Sequence, residues 1–236
     1  MKRRKAVWMA SNPEQIPLNL SCRSASGRED FLIGASNRSA VEWIDRWPDW
    51  PAPLLIISGP AGSGKSHLAA VWREQANAFD IKAKELFEYS AKELSEKGEA
   101  LCIDGIDLAI GSREAETTLF HLYNIFKEEK RSFLVTTRLN ITAADFQIPD
   151  LASRFRAAPV ATIQSPDDML LGSVLIKLFS DRQLKVGNDV IKYILPRMER
   201  SFAEAGLLVS KMDELALSQK RAVSIPLARD ALACLY

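Results

Sequence analysis

The feature that most constrains this chain is the octapeptide Gly59-Pro60-Ala61-Gly62-Ser63-Gly64-Lys65-Ser66, which fits the pattern G-x-x-x-x-G-K-[ST]. Leu54-Leu55-Ile56-Ile57 precedes it in the pattern of a buried strand, and an amphipathic stretch from Lys65 to about Ala76 follows it. Glycines in such a strand-to-helix turn let successive backbone N–H groups curl around phosphate oxygens, with the positive end of the helix behind them. In a P-loop of this kind Lys65 meets the β- and γ-phosphates and Ser66 ligates Mg²⁺. His67, the next residue, borders the same turn, and its plainer reading is a packed helix residue.

A P-loop presupposes a parallel sheet, and the rest of the chain supplies one. Further apolar strand candidates lie around Ile81, at Leu101-Cys102-Ile103, at Phe133-Leu134-Val135 and at Val160-Ala161-Thr162-Ile163. Helical periodicities separate them, the clearest being Leu119, Leu122, Tyr123 and Phe126. Strands alternating with helices predict an α/β fold, a five-stranded parallel sheet flanked by helices. A further helix is expected between Ser36 and Trp47, closed by Pro48, and only a short one between Lys84 and Glu99. After Ser165 the strands cease. Ser165-Pro166-Asp167-Asp168 offers an N-cap, a Pro at the first helical position and an acidic first turn, Ser201 and Glu204 are spaced as a capping box, and helices fill the remainder. The expected domains are a tail over 1–27, an α/β domain over 28–165 and a small all-helical lid over 166–236.

Composition removes several classes of function. The 236 residues carry 31 Lys and Arg against 30 Asp and Glu, a net charge of +1, so no broad basic surface for nucleic acid is indicated. The basic run Lys2 to Lys5 reads as a solvated tail. Cys22, Cys102 and Cys234 form no CxxC pair, and His67 and His121 are not spaced as zinc ligands. No apolar run approaches the roughly 20 residues of a membrane helix, and no apolar core follows the basic N-terminus, which together imply a cytoplasmic protein.

The magnesium shell of a P-loop needs a carboxylate at the end of an apolar strand, and Asp104 after Ala100-Leu101-Cys102-Ile103 meets that need. Asp107 is open to two readings, a surface loop acid or a displaced water-positioning acid. Thr137, closing the strand that holds Phe133, is either a γ-phosphate sensor or a turn residue.

Taken in order, these motifs resemble the AAA+ domain of the DnaA-related family, over about Arg28 to Tyr236, and within it the Hda-type regulatory inactivators of DnaA. Phe31-Leu32-Ile33-Gly34-Ala35-Ser36-Asn37-Arg38 is similar to the family's adenine-side segment, with Ile33 in contact with nucleotide. Leu101 to Asp104 is similar to its Walker B strand. Many AAA+ ATPases carry a second acid directly after that Asp; Gly105 stands there, which puts self-catalysed hydrolysis in question. Leu151-Ala152-Ser153-Arg154-Phe155 resembles the segment bearing the arginine finger, so the resemblance implies that Arg154 acts in a neighbour's active site; pairing with Asp150 on the surface is the alternative. The family's lid arginine falls near Ala203, and Arg200 is the nearest arginine upstream.

The chain ends where a full initiator would continue into a helix-turn-helix domain, so the resemblance implies no element for reading duplex sequence. It also implies a peptide that docks on the β sliding clamp of DNA polymerase III. Gln15-Ile16-Pro17-Leu18-Asn19-Leu20 is the candidate: Gln15 offers its amide, and Ile16, Leu18 and Leu20 offer spaced aliphatics on a Pro-stiffened segment. The implied cofactors are ADP or ATP with Mg²⁺, and the implied partners are DnaA, the clamp and a further copy of the chain. A self-hydrolysing ATPase of helicase-loader or transposition-helper type and a non-catalytic nucleotide-gated scaffold are the rival readings.

Overall fold

The computed structural model describes residues 32–236. Residues Gln15, Ile16, Leu18 and Leu20 lie outside them. Five strands, β1 (Leu54–Ser58), β2 (Phe79–Lys82), β3 (Ala100–Asp104), β4 (Ser132–Thr137) and β5 (Val160–Thr162), form one sheet in the order β2-β3-β4-β1-β5. All four pairings are parallel.

The central strands of a parallel sheet are covered on both faces, so β1, β3 and β4 are buried at nearly every position rather than at alternate ones. Leu54, Leu55, Ile56 and Ile57 are all fully buried, and alternation decides only which face each one packs. Leu54, Ile56, Ile103, Phe133 and Val135 meet Leu119, Leu122 and Phe126 of α4 (Arg113–Glu128), together with Leu151 and Phe155 of α5 (Pro149–Ala157). Leu55, Ile57, Cys102, Leu134 and Ala161 turn the other way, onto α1 (Arg38–Asp45) and α2 (Lys65–Ala76). Trp72 of α2 anchors that second layer, stacked on Trp50 at 5.3 Å and met edge-on by Trp47 at 6.4 Å.

The stretch Lys84–Glu99, where the sequence predicts one short helix, holds two pieces. A 3₁₀ turn spans Ala83–Phe87, and α3 (Ala91–Ser95) begins at a capping box in which Ser90 and Glu93 satisfy each other's backbone N–H groups.

The C-terminal part is all-helical, as expected: α6 (Asp168–Asp181), α7 (Asn188–Ile194), α8 (Phe202–Gln219) and α9 (Ile225–Leu235) enclose their own core around Leu175, Phe179, Val209, Met212 and Leu227. Asp167 caps α6 by accepting from the Leu170 amide at 2.7 Å, so Pro166 precedes the helix instead of opening it. Ser201 caps α8 through the Glu204 amide at 3.2 Å, while the Glu204 carboxylate accepts from the Tyr236 hydroxyl at 3.0 Å.

One buried acid ties the α5 segment to the sheet edge. Glu116 on α4 is fully buried, and its two oxygens accept from the Gly111 and Ile148 amides, each at 2.8 Å. Ile148 immediately precedes α5, so this carboxylate fixes where α5 begins. Removing it takes the acceptor from two part-buried amides and leaves a cavity where the buried side chain was. Glu116→Ala is expected to lower stability by roughly 2–4 kcal/mol in urea unfolding, and a change within 0.5 kcal/mol, the ordinary surface range, would contradict the assignment.

Candidate nucleotide site

Parallel pairing sets the strand ends level, so the residues that follow β1, β3 and β4 meet at one edge. Ser58 is paired with Thr137, and Lys82 with Asp104. The P-loop leaves β1 at this edge and turns into α2, as the sequence predicts. Gly62 has φ +67°, and a Cβ there would lie 2.2 Å from Ser201 Oγ. Both the left-handed backbone and the close approach therefore require glycine.

Lys65 is half-buried. Its ammonium donates to the carbonyl oxygens of Gly59 at 2.9 Å and Pro60 at 2.7 Å, holding the loop closed on itself. Burial lowers its pKa below the ordinary lysine value, helped by Arg138 and opposed by the nearby carboxylates of Asp107 and Asp104. Ser63, at 2 % exposure, has an Oγ without a hydrogen-bond partner among the described residues. A buried hydroxyl of that kind inside a loop of backbone donors fits an oxyanion ligand.

Asp104 sits where its strand position predicts. Its Oδ1 accepts from Thr136 Oγ1 at 2.6 Å and Ser66 Oγ at 3.0 Å, and its Oδ2 meets the Lys82 ammonium at 2.8 Å. Burial works against the charged carboxylate. The hydrogen bonds from Lys82, Thr136 and Ser66, with the Lys82 charge, outweigh that effect and hold its pKa below the usual range. Folding is therefore assisted by this group at neutral pH, and that assistance fades as pH falls through the depressed value. Ser66 and Asp104 thus stand within hydrogen-bonding distance of each other at the mouth of the loop. Among the described residues no cluster of three or more His, Cys, Asp or Glu could hold a metal without phosphate oxygens.

Gly105, at the position of the second acid, has φ +75° and opens a 3₁₀ turn over Ile106–Leu108. That turn swings Asp107 back into the site. Of the two readings of Asp107, the surface one does not hold: its side chain is only 14 % exposed. Asp107 Oδ1 accepts from Thr137 Oγ1 at 3.0 Å and from the Arg138 amide at 2.8 Å, and Oδ2 lies 3.6 Å from Arg138 Nε. Thr137 is fully buried, and its hydroxyl also accepts from the Leu139 amide at 3.0 Å, so it positions Asp107 and the Arg138 turn.

The turn from Leu32 to Asn37 lies against the lid. Asn37, nearly buried, accepts from the Gly34 amide at 2.8 Å and donates to the Leu32 carbonyl at 2.9 Å, while Leu170 of α6 packs on Gly34. Ile33 stands 54 % exposed beside this turn, and His67 is half-buried in the first turn of α2. Arg200 reaches Asp168 at 3.0 Å, with both side chains more than half exposed. The lid residues that touch the P-loop are its neighbours. The Phe202 amide donates to the Gly62 carbonyl at 2.8 Å, and the Phe202 ring covers Gly64.

Arg154, on α5, is half-buried. Its guanidinium donates to Asn124 Oδ1 and lies over Phe120 at 4.4 Å and Tyr123 at 5.0 Å. These contacts fix its direction at the outer surface of α4 and α5.

Over residues 173–232 the lid matches the family model for the lid domain of Hda. The helical part therefore carries a lid of the Hda type. It is 24 % identical over 228 residues to an uncharacterised protein of Haemophilus influenzae, covering 93 % of this chain and 98 % of that one. Domain III of the replication initiation protein DnaA from Thermotoga maritima superposes with TM-score 0.76 at 19 % identity, over 89 % of this chain and 96 % of that one. AMPPCP-bound DnaA from Aquifex aeolicus gives 0.69 at 18 % identity, over 82 % of this chain and 67 % of that one. At these identities the likeness to the solved structures is one of fold, the AAA+ sheet with its helical lid.

Sequence reasoning missed three parts of this site: Lys82, Ser201 and Phe202. A lysine at the end of the second strand was in plain view, but only the β2–β3 register places it on Asp104. Gly62→Ala, which puts a methyl group into Ser201 and strains the loop, is expected to cost about 1–2 kcal/mol. It should also speed hydrogen exchange at the Phe202 amide, and unchanged exchange there would contradict the lid contact.

Proposed function

We propose that this Hda-like chain is a negative regulator of DNA replication initiation. It binds ADP or ATP with Mg²⁺, is tethered to the β sliding clamp of DNA polymerase III, and promotes hydrolysis of ATP held by DnaA. The observation that carries this reading is the asymmetry of the site. The phosphate-binding loop is complete, whereas the second acid is Gly105 and the nearest carboxylate, Asp107, is committed to Thr137 and Arg138. Such a site holds nucleotide better than it cleaves it. Bound nucleotide would lie along the Ile33 segment, with its phosphates on Gly59–Ser66. Ser66 and Asp104 would hold the Mg²⁺, whose charge neutralises the phosphates.

Arg154 is the group that would act in trans. A guanidinium carries five N–H donors, so the one given to Asn124 leaves others for a phosphate. Stacking on Phe120 and Tyr123 prepays the ordering of a long side chain before any partner arrives. The clamp tether rests on the sequence of Gln15, Ile16, Leu18 and Leu20 alone. It would act through effective concentration, making a weak AAA+ contact with DnaA quasi-intramolecular. A head-to-tail contact of this type also permits assembly of further copies. The setting this reading requires is the cytoplasm, and among the described residues no helix is long and apolar enough to cross a membrane.

The experiment is a single-turnover assay of DnaA-bound ATP with this protein, clamp and DNA, each omitted in turn. Arg154→Ala is expected to slow hydrolysis by about 10³-fold, the lower end of what a trans arginine supplies. Deletion of residues 15–20 should abolish clamp retention and leave ADP affinity unchanged. Full DnaA-ATP hydrolysis with Arg154→Ala would refute the trans role and leave a scaffold.

One observation favours a second reading, the self-hydrolysing ATPase: Asp107 lies inside the site and close enough to Lys65 to act on its charge. Under the leading reading the isolated protein turns over little ATP, and Asp107→Asn leaves that rate unchanged. Steady ATP turnover lost in Asp107→Asn would establish the rival.

A further inference from the structure

Lys82 belongs to no motif in this chain, yet it makes an ion pair with Asp104, the acid that would serve the magnesium shell. It ends β2 and is the register partner of Asp104 at the end of β3, with Nζ 2.8 Å from Oδ2. Its main chain is fixed: the Lys82 amide donates to Glu85 Oε1 at 2.9 Å, and Glu85 Oε2 is held by Lys97 at 3.4 Å. The other oxygen of Asp104 is taken by Ser66 and Thr136. The carboxylate that would serve Mg²⁺ is therefore already neutralised, by a cation that the fold itself delivers.

We propose that Lys82 is a built-in counter-cation for Asp104, which makes retention of adenine nucleotide only weakly dependent on Mg²⁺. The proposal rests on the nucleotide-binding reading above and goes beyond it. The physical reason is charge balance. A bare carboxylate beside the phosphates repels them, and a site of that kind needs the metal to bind at all. With an ammonium on Oδ2 that repulsion is already offset, so the arriving metal gains less and the metal-free nucleotide loses less. Lysine suits the task because its ammonium is a compact point charge on a flexible stem, able to swing off Asp104 into solvent; its side chain is 56 % exposed.

The test titrates ADP into the full-length protein by calorimetry, once in excess Mg²⁺ and once in EDTA. In wild type the two affinities should differ by less than about threefold, and in Lys82→Met by about tenfold or more, with Lys82→Arg close to wild type. Mn²⁺ titrated into the ADP complex and read by electron paramagnetic resonance should bind Lys82→Met about tenfold tighter than wild type. An unchanged Mg²⁺ dependence in Lys82→Met, with ADP still bound, overturns the role of Lys82 and leaves the nucleotide site standing. Wild-type protein that binds ADP in neither condition overturns the nucleotide reading, and this inference with it. Circular dichroism checks that the variant folds, and Lys82→Gln carries the same comparison if the methionine variant does not.

Discussion

Everything at the site follows from the parallel register of the sheet. β1, β3 and β4 are buried on both faces, so their bodies admit only apolar side chains and polar chemistry is driven to their ends. Because Ser58 pairs with Thr137 and Lys82 with Asp104, those ends lie level, and one edge collects a phosphate loop, two acids, two threonines and a lysine. The two threonines are the polar exceptions inside the sheet, at 1 % and 0 % exposure, and each is satisfied. Thr136 takes the Gly105 amide and gives to Asp104; Thr137 takes the Leu139 amide and gives to Asp107. Each of the two threonine hydroxyls thus aims an acid, and the acids inherit the rigidity of the sheet.

Charge at that edge is arranged in matched sets. Asp104 has Lys82 as its cation, Asp107 has Arg138, and Lys65 stands between them with its ammonium on the loop carbonyls. Three cations against two carboxylates leave the edge positive by one, a balance that draws an anion without exposing a naked charge. Burial pulling down the Lys65 pKa and hydrogen bonding pulling down that of Asp104 are two views of the same crowding.

What could be read from the sequence was whatever has a local cause. A P-loop is a local solution to binding phosphate, so Gly59 to Ser66 could be read directly, and the central strands β1, β3 and β4 could be read because a doubly covered strand is a continuous apolar run. Asp104 followed from its strand. Groups whose role comes from register or from packing between distant segments were hidden. Lys82 is 22 residues from Asp104, and Phe202 is 138 residues beyond Gly64, so no spacing rule connects either pair. Asp107 was ambiguous for a different reason: its inward turn depends on the positive φ of Gly105, and a glycine in sequence does not say which way it turns the chain.

The lid shows how far this architecture departs from a purely electrostatic reading of nucleotide. Arg200 faces Asp168 across an exposed pair, which solvent screens and which contributes little to holding the lid. The contact that does join lid and loop is a backbone hydrogen bond from Phe202 to Gly62 and an aromatic ring laid on Gly64. The N-terminal end of α8, where the helix dipole is positive, is therefore spent on a carbonyl of the P-loop. A lid attached in this way follows the shape of the loop. Any ligand that reorders Gly62 and Gly64 must move Ser201 and Phe202 with them, because the gap between Gly62 and Ser201 has no room for even a methyl group. Coupling between the P-loop and the lid in this protein is consequently steric, transmitted by packing that has little slack.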